Sequence, residues 1–233
     1  MTYRYLTDLA DVLRAAGLKV VEIDGWKTRG RPASTGGFDP VGVLCHHTAT
    51  SVRSSDANVL ALLRNGRSDL PGPLCNLGLG RDGTVYVIAA GRANHGGKAK
   101  ASGTVAAGDA NSLYIGIEAF NDGVGEKWPA VQYDAYVKVC AALCAKVTGN
   151  SAATVRGHKE TSVTGKIDPT FDMGAFRDRV AAALAKPTPA KPAAPPKTNV
   201  TKARDLIGKA LGNAKRPARR QRLRDALKSL PKR

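Results

Sequence analysis

The sequence predicts an α/β fold: a mixed central β-sheet covered by helices, followed by a basic helical C-terminal tail. Three observations carry this. Short compact apolar runs interleave with longer segments of helical period up to about Lys186. Two of the apolar runs are joined by Arg81-Asp82-Gly83, a hairpin signal that puts an antiparallel pair in the sheet. After Lys186 the composition shifts to Pro, Ala, Lys and Thr, and then to basic segments with a helical leucine spacing.

Taken in order, Leu6, Leu9, Leu13 and Ala16 repeat at helical spacing, and Gly17 supplies a stop. Val20 to Ile23 is strand-like. Trp26 to Pro40 is rich in Gly, Pro and Arg and reads as a loop, and Val41 to Cys45 has the look of a buried strand. Ser54 or Ser55 is placed to cap a helix over Ala57 to Arg64. Leu74 to Leu79 and Thr84 to Ala89 are the two hairpin strands, and Leu113 to Phe120 is a further strand. Pro129 to Val147 reads as a long helix opened by proline and closed by Gly149. Thr154 to Arg156 is a short strand, and Met173 to Ala185 a final helix. Residues 187–199 read as a semi-rigid linker. Residues 200–233 read as two short basic amphipathic helices, broken at Gly212-Asn213 and restarted at Pro217.

The net charge of +17 calls for an acidic partner, but it is unevenly placed. Residues 187–233 hold 14 Lys/Arg against two Asp, and residues 1–186 hold 22 Lys/Arg against 17 Asp/Glu. The basic character therefore belongs mainly to the tail. Anionic wall polymers or membrane lipid are its expected partners, with a solvated, partly ordered extension as the plain alternative. A nucleic-acid function is not expected, because no reading motif is present and the charge lies outside the main domain. No apolar run approaches the roughly 20 residues that span a bilayer. Met1 to Ala10 lacks the charged start and apolar core of a secretory signal, so synthesis in the cytoplasm without a signal peptide is expected. Cys45, Cys75, Cys140 and Cys144 match no zinc ribbon or disulfide framework and read as small buried apolar residues.

The chemistry concentrates in a few places. His46 and His47 end an apolar run, and successive strand residues point to opposite faces, so only one can face a given site. Taken alone, either reads as an ordinary core or surface histidine. A second cluster, Gly157-His158 followed by Lys166, Asp168 and Pro169, changes that balance. A catalytic zinc takes three protein ligands and leaves a position open, and two His with one Asp supply such a set. Glu118 ends the run Ile115-Gly116-Ile117-Glu118 between apolar neighbours. It is either a salt-bridged edge residue or a general base whose pKa its apolar setting raises.

Four ordered segments resemble the zinc amidase family that includes phage lysozyme-type amidases, cell-wall-recycling amidases and peptidoglycan recognition proteins. They are Val43 to Thr48, Asn76 to Tyr86, Asn111 to Glu118, and Gly157-His158 through Lys166-Ile167-Asp168-Pro169. Arg92-Ala93-Asn94-His95-Gly96-Gly97 is similar to a further family segment. The ordered set, over roughly residues 38–182, is more specific than any one piece.

The resemblance implies an N-acetylmuramoyl-L-alanine amidase on the amidase and peptidoglycan-recognition fold, within residues 1–186. One zinc ion is implied on His46, His158 and Asp168. Lys166 matches an oxyanion-stabilising lysine, and Glu118 an acid/base glutamate. Some members carry a catalytic tyrosine where this chain has Cys75, which leaves proton transfer to Glu118 or to the metal-activated water. His95, Asn76 and His47 are expected to face the substrate, His95 alternatively having a structural role. The implied substrate is bacterial peptidoglycan, cut by a monomer, in the setting of a phage endolysin that reaches the cell wall after release. A non-catalytic peptidoglycan-binding module on the same fold is the alternative, and retention of all three ligand types favours the enzyme.

Overall fold

The computed structural model describes residues 2–185, 199–213 and 217–229. The chain divides into two units, Met1–Thr188 and Pro189–Arg233. The first begins with α1 (Leu9–Ala15), β1 (Val20–Glu22), β2 (Gly42–His47), α2 (Asp56–Asn65), β3 (Gly66–Arg67) and β4 (Leu70–Pro71). It continues through β5 (Leu77–Leu79), β6 (Val85–Val87), β7 (Lys98–Ala99), β8 (Gly108–Asp109) and α3 (Ala110–Leu113). It closes with β9 (Tyr114–Ala119), α4 (Ala130–Leu143), β10 (Val155–Gly157), α5 (His158–Thr161) and α6 (Met173–Ala185). The second unit contains α7 (Asn199–Asn213) and α8 (Pro217–Ser229).

Six strands form one sheet in the order β1-β6-β5-β9-β2-β10. The β5–β6 pair is antiparallel and the other four pairings are parallel, so the sheet is mixed as the sequence predicts. Its hairpin is the Asp-Gly turn. The Asp82 carboxylate accepts from Thr84 N–H at 2.9 Å and from its hydroxyl at 2.7 Å, while Gly83 takes a φ of 80° that suits glycine. β2 and β9 have neighbours on both sides and are covered on both faces, which is why they read as near-continuous apolar runs.

Strand alternation divides the core. Val43, Cys45, Leu77, Leu79, Ile115 and Ile117 face α1, α4 and α6, packing with Leu9, Leu13, Tyr136, Val139, Phe176 and Val180. Each such fully buried aliphatic or aromatic side chain contributes about 1.5–3 kcal/mol. On the opposite face Leu44 and Tyr114 pack with Ala99, Val105 and Ala110. Val59 and Leu63 of α2 pack with Leu74, Cys75, Ile88 and Phe120. α2 is capped by Ser55, whose hydroxyl accepts from Asn58 N–H at 3.3 Å.

Several details depart from the sequence reading. α4 ends at Leu143, and the expected last turn to Val147 is a wider π-helical turn over Cys144–Thr148, closed by Gly149 at φ 67°. The pairs β3–β4 and β7–β8 and the one-turn helix α5 lie where no element is predicted, and the one-turn helix α3 takes Leu113 from the start of a predicted strand. All four cysteines are buried and free, and Cys45 Sγ lies 3.8 Å from Cys140 Sγ.

In the second unit α7 and α8 pack against each other. Ile207, Ala210, Leu211, Leu223, Ala226 and Leu227 are partly buried there, and Leu206 is exposed. The predicted linker, apart from Asn199, lies outside the described residues. No helix among the described residues is long and apolar enough to cross a membrane.

Candidate metal centre

The site is assembled at the C-terminal ends of three parallel strands. In the β2–β9 register His46 pairs with Glu118, and paired residues of neighbouring strands project to the same face. That face is the one opposite α4. His158 follows β10 directly as the first residue of α5. α5 is only one turn long, and Glu160 secures it. Its carboxylate accepts from Gly157 N–H at 2.8 Å, from Arg156 at 3.0 Å and from Arg177 of α6 at 2.8 Å. The return loop brings Asp168 back beside His158, pinned by Lys159 N–H to Asp168 O at 2.7 Å and Lys159 Nζ to Phe171 O at 2.7 Å.

Three donor atoms then converge. His46 Nδ1 lies 3.1 Å from His158 Nδ1 and 2.9 Å from Asp168 Oδ2, and His158 Nδ1 lies 3.2 Å from Asp168 Oδ2. All three residues are buried. Two imidazole nitrogens and one carboxylate oxygen, mutually about 3 Å apart, are spaced as a small cation requires. Tetrahedral bonds of 2.0–2.1 Å to zinc separate their ligand atoms by about 3.3 Å. The group can hold a metal ion.

The electrostatics suit that use. Burial pushes the His46 imidazole down to about 4, against the opposing pull of Asp168. Burial alone would raise the Asp168 carboxyl. Hydrogen bonds from His158 and His46 outweigh it and hold Asp168 well below the usual carboxylate range. At neutral pH His46 is therefore a neutral donor and Asp168 an anionic one.

Glu118 stands beside this group. Burial, reinforced by the charge of Asp168 and offset by Lys166, pushes its carboxyl well above the ordinary value. Its Oε2 is buried with no hydrogen-bond partner among the described residues. The salt-bridged-edge reading of Glu118 is thereby set aside in favour of a raised, unpaired carboxyl. Lys166 is exposed on the loop before Asp168, and its side chain makes no hydrogen bond among the described residues.

The three residues expected at the substrate surface fall in different places. His95 is part-buried, with Nδ1 3.1 Å from His46 Nε2. His47 points to the α4 face, packed on Gly123 and 6.5 Å from the Trp128 ring. Only 8% of it is exposed, and burial lowers its pKa, so it offers a substrate little surface. Asn76 requires a correction. It is fully buried, its amide donating to Ala89 O at 3.1 Å and Gly91 O at 2.8 Å and accepting from Gly116 N–H at 3.0 Å. Those bonds use the side chain to tie β5, β9 and the segment after β6 together, and complete burial keeps it from a ligand.

Three supporting residues escaped the sequence reading. Tyr136 of α4 accepts the His46 N–H at 2.9 Å through its hydroxyl. Asn111 accepts the N–H groups of His95 and Gly96, each at 2.8 Å. Gly116 leaves the space that the His95 ring occupies. Only the last carried a signal, since glycine inside a central strand marks a close approach.

Sheet and site together bring two imidazoles and a carboxylate close enough to share one small cation, beside a buried carboxyl. The family is more specific: residues 36–171 match the N-acetylmuramoyl-L-alanine amidase family, and the chain belongs to it. It is accordingly an amidase of bacterial peptidoglycan, acting on the bond between N-acetylmuramic acid and L-alanine. No curated protein matches the chain by sequence. Among solved structures, the fold is similar to the endolysin amidase LysCS from Clostridium intestinale URNW, at 16% identity and TM-score 0.51, covering 70% of this chain and 95% of that one. It is also similar to the PlyG catalytic domain, at 14% identity and TM-score 0.51, covering 76% of this chain and all of that one. The XlyA catalytic domain aligns at 20% identity and TM-score 0.50, covering 70% of this chain and 99% of that one.

Proposed function

We propose that the amidase is zinc-dependent, with His46, His158 and Asp168 as the protein ligands, Glu118 as the acid/base residue and Lys166 as the oxyanion partner. The observation that carries this reading is the convergence of two Nδ1 atoms and one carboxylate oxygen within 2.9–3.2 Å, beside an unpaired carboxyl. A zinc ion, when bound, supplies an activated water at neutral pH and polarises the scissile carbonyl.

The chain's own residues account for the remainder. Glu118, on the same sheet face as His46, takes a proton at its unpartnered Oε2 and returns it to the departing alanine nitrogen. Its raised pKa suits both halves of that exchange. A carboxylate of ordinary acidity would be the weaker base, giving a proton back readily but accepting one reluctantly. Lys166, on an exposed loop, reaches the carbonyl oxygen only once substrate lies over the site, and one well-placed donor to an oxyanion is worth about 3–4 kcal/mol.

Residues 1–186 act as the catalytic domain, 187–199 as a linker and 200–233 as a basic module. The amidase works as a monomer in phage-mediated host lysis, a setting supported by the endolysin among the chains of similar fold. The basic module binds an anionic wall polymer. Its helices turn apolar residues partly toward each other, which favours surface charge attraction over membrane insertion.

Product mapping on purified peptidoglycan tests the catalytic reading. New L-alanine amino termini should appear with the wild type, and Glu118→Gln should bind zinc yet release few. Full turnover in Glu118→Gln refutes the assigned role. Deleting residues 187–233 should weaken binding to intact walls while sparing hydrolysis of soluble fragments, and unchanged wall binding removes the role given to the tail.

A further inference from the structure

The segment that follows β6 carries His95, and the Asn111 side chain grips the backbone there. Asn111 Oδ1 accepts the backbone N–H groups of His95, Gly96 and Gly97 at 2.8, 2.8 and 3.3 Å. Asn111 is itself fixed, its N–H donating to Asp109 Oδ1 at 3.0 Å, and Arg92 donates to the other oxygen of Asp109. On its far side the His95 ring lies against the Cα of Gly116, where a methyl group would come within 2.5 Å of Cγ. The ring so placed meets His46 edge to face, with centroids 5.2 Å apart and planes at 79°. Its Nδ1 lies 3.1 Å from His46 Nε2.

That contact bears on which nitrogen of His46 carries the proton: either ring can donate across it, and His95 accepts at Nδ1 when its own proton lies on Nε2, which has no partner among the described residues. His46 Nδ1 faces Asp168 Oδ2 and His158 Nδ1, so a cation bound there needs its lone pair, and the proton must sit on Nε2. The competing tautomer is also available. With the proton on Nδ1, His46 would donate to Asp168 across the same 2.9 Å, and the ligand atom would be lost. A His95 Nδ1 that accepts from Nε2 would oppose that tautomer.

We propose that His95 is a positioning residue: by accepting a hydrogen bond from His46 Nε2, it holds the His46 imidazole in the orientation and tautomer that present Nδ1 to a metal ion. The role rests on the metal site proposed above, and His95 acts through His46 without touching ion or substrate. Ligating histidines whose second nitrogen is so anchored gain about 10- to 100-fold in metal affinity over unanchored ones.

The test is zinc binding by the full chain, read by competition with a chromogenic chelator. His95→Phe keeps a ring over Gly116 but offers no acceptor, and it should bind zinc about 10- to 100-fold more weakly. His95→Asn places an amide oxygen near the position of the ring Nδ1, and it should bind more tightly than His95→Phe despite its smaller volume. A role in packing alone predicts the reverse order. Zinc affinity of His95→Phe within twofold of the wild type, or His95→Asn no better than His95→Phe, overturns the proposal. Should His95→Phe fail to fold, His95→Asn decides: affinity as poor as that of His158→Ala overturns it. Wild-type chain that binds zinc no better than His158→Ala rejects the metal site itself, and the positioning role with it.

Discussion

Replacing Tyr136 by Phe removes one oxygen atom from beneath the ligand-bearing strands. That hydroxyl accepts the His46 N–H at 2.9 Å, and its single proton is shared between the carbonyls of His46 and Ile117, each at 3.1 Å. Thr48 N–H donates to Ala119 O, so His46 N–H, two residues earlier on β2, also faces β9, and the Tyr136 hydroxyl sits where it meets Ile117 O. The residue is fully buried, and its ring sits among Phe171, Phe176 and Trp128 at centroid distances of 5.9, 5.4 and 6.5 Å. Phenylalanine keeps those contacts and opens no cavity. What is lost is polar: each hydrogen bond contributes about 0.5–1.5 kcal/mol net, and a buried donor left without a partner costs about 1–3 kcal/mol. The two figures overlap, and a loss of about 2–3 kcal/mol is expected. In a domain of this size that lowers Tm by about 5–10 °C. Urea unfolding followed by tryptophan fluorescence should show the midpoint fall with an unchanged slope. Zinc affinity should fall as well, because the backbone that carries His46 loses its anchor. A stability loss below about 0.5 kcal/mol would refute the claim that this hydroxyl ties β2 to β9.

Asn76→Ala should cost about 2–4 kcal/mol, since three buried backbone groups lose their partner, while KM is unchanged; a raised KM at normal stability would restore the substrate-binding role. Lys166→Ala should leave zinc content and melting temperature intact and lower kcat about 100-fold, checked by steady-state hydrolysis of a soluble muropeptide. Asp82 gives a pH signature away from the site: its hydrogen bond from Lys19, together with those from Thr84, lowers its carboxyl from 3.8 to about 2. A depressed carboxyl stabilises the fold fully above its unfolded value and ceases to do so as pH falls through the folded one. The wild type should therefore exceed Asp82→Asn in stability at neutral pH and converge with it between about pH 4 and pH 2. The side chain is 56% exposed, so the gap should stay under about 1 kcal/mol in a urea series across pH.

The frame of the fold was legible because its signals are local. Buried central strands give continuous apolar runs at Val43–Cys45 and Ile115–Ile117, Asp82-Gly83 fixes the hairpin, and Pro129 and Gly149 bracket the long helical segment. The pairs β3–β4 and β7–β8 were not legible, because two-residue strands show no alternation. α5 was not legible either, since four residues make a single turn and no period. In the site, His46, His158, Asp168 and Glu118 could be picked out by residue type and order. Asn76 could not be assigned correctly, because an amide that bonds the backbone and one that faces a ligand look alike in a sequence. Tyr136 supports His46 across 90 positions, and nothing near either residue announces that partnership.

The proposed mechanism places one ion on His46, His158 and Asp168. The most direct measurement strips the purified chain with a chelator, then titrates zinc back while following release of L-alanine amino termini from peptidoglycan. Negligible hydrolysis is expected in the stripped chain, with recovery that saturates at one zinc per chain and no recovery in Asp168→Ala. Full hydrolysis by the metal-free chain, or full recovery in Asp168→Ala, would contradict it.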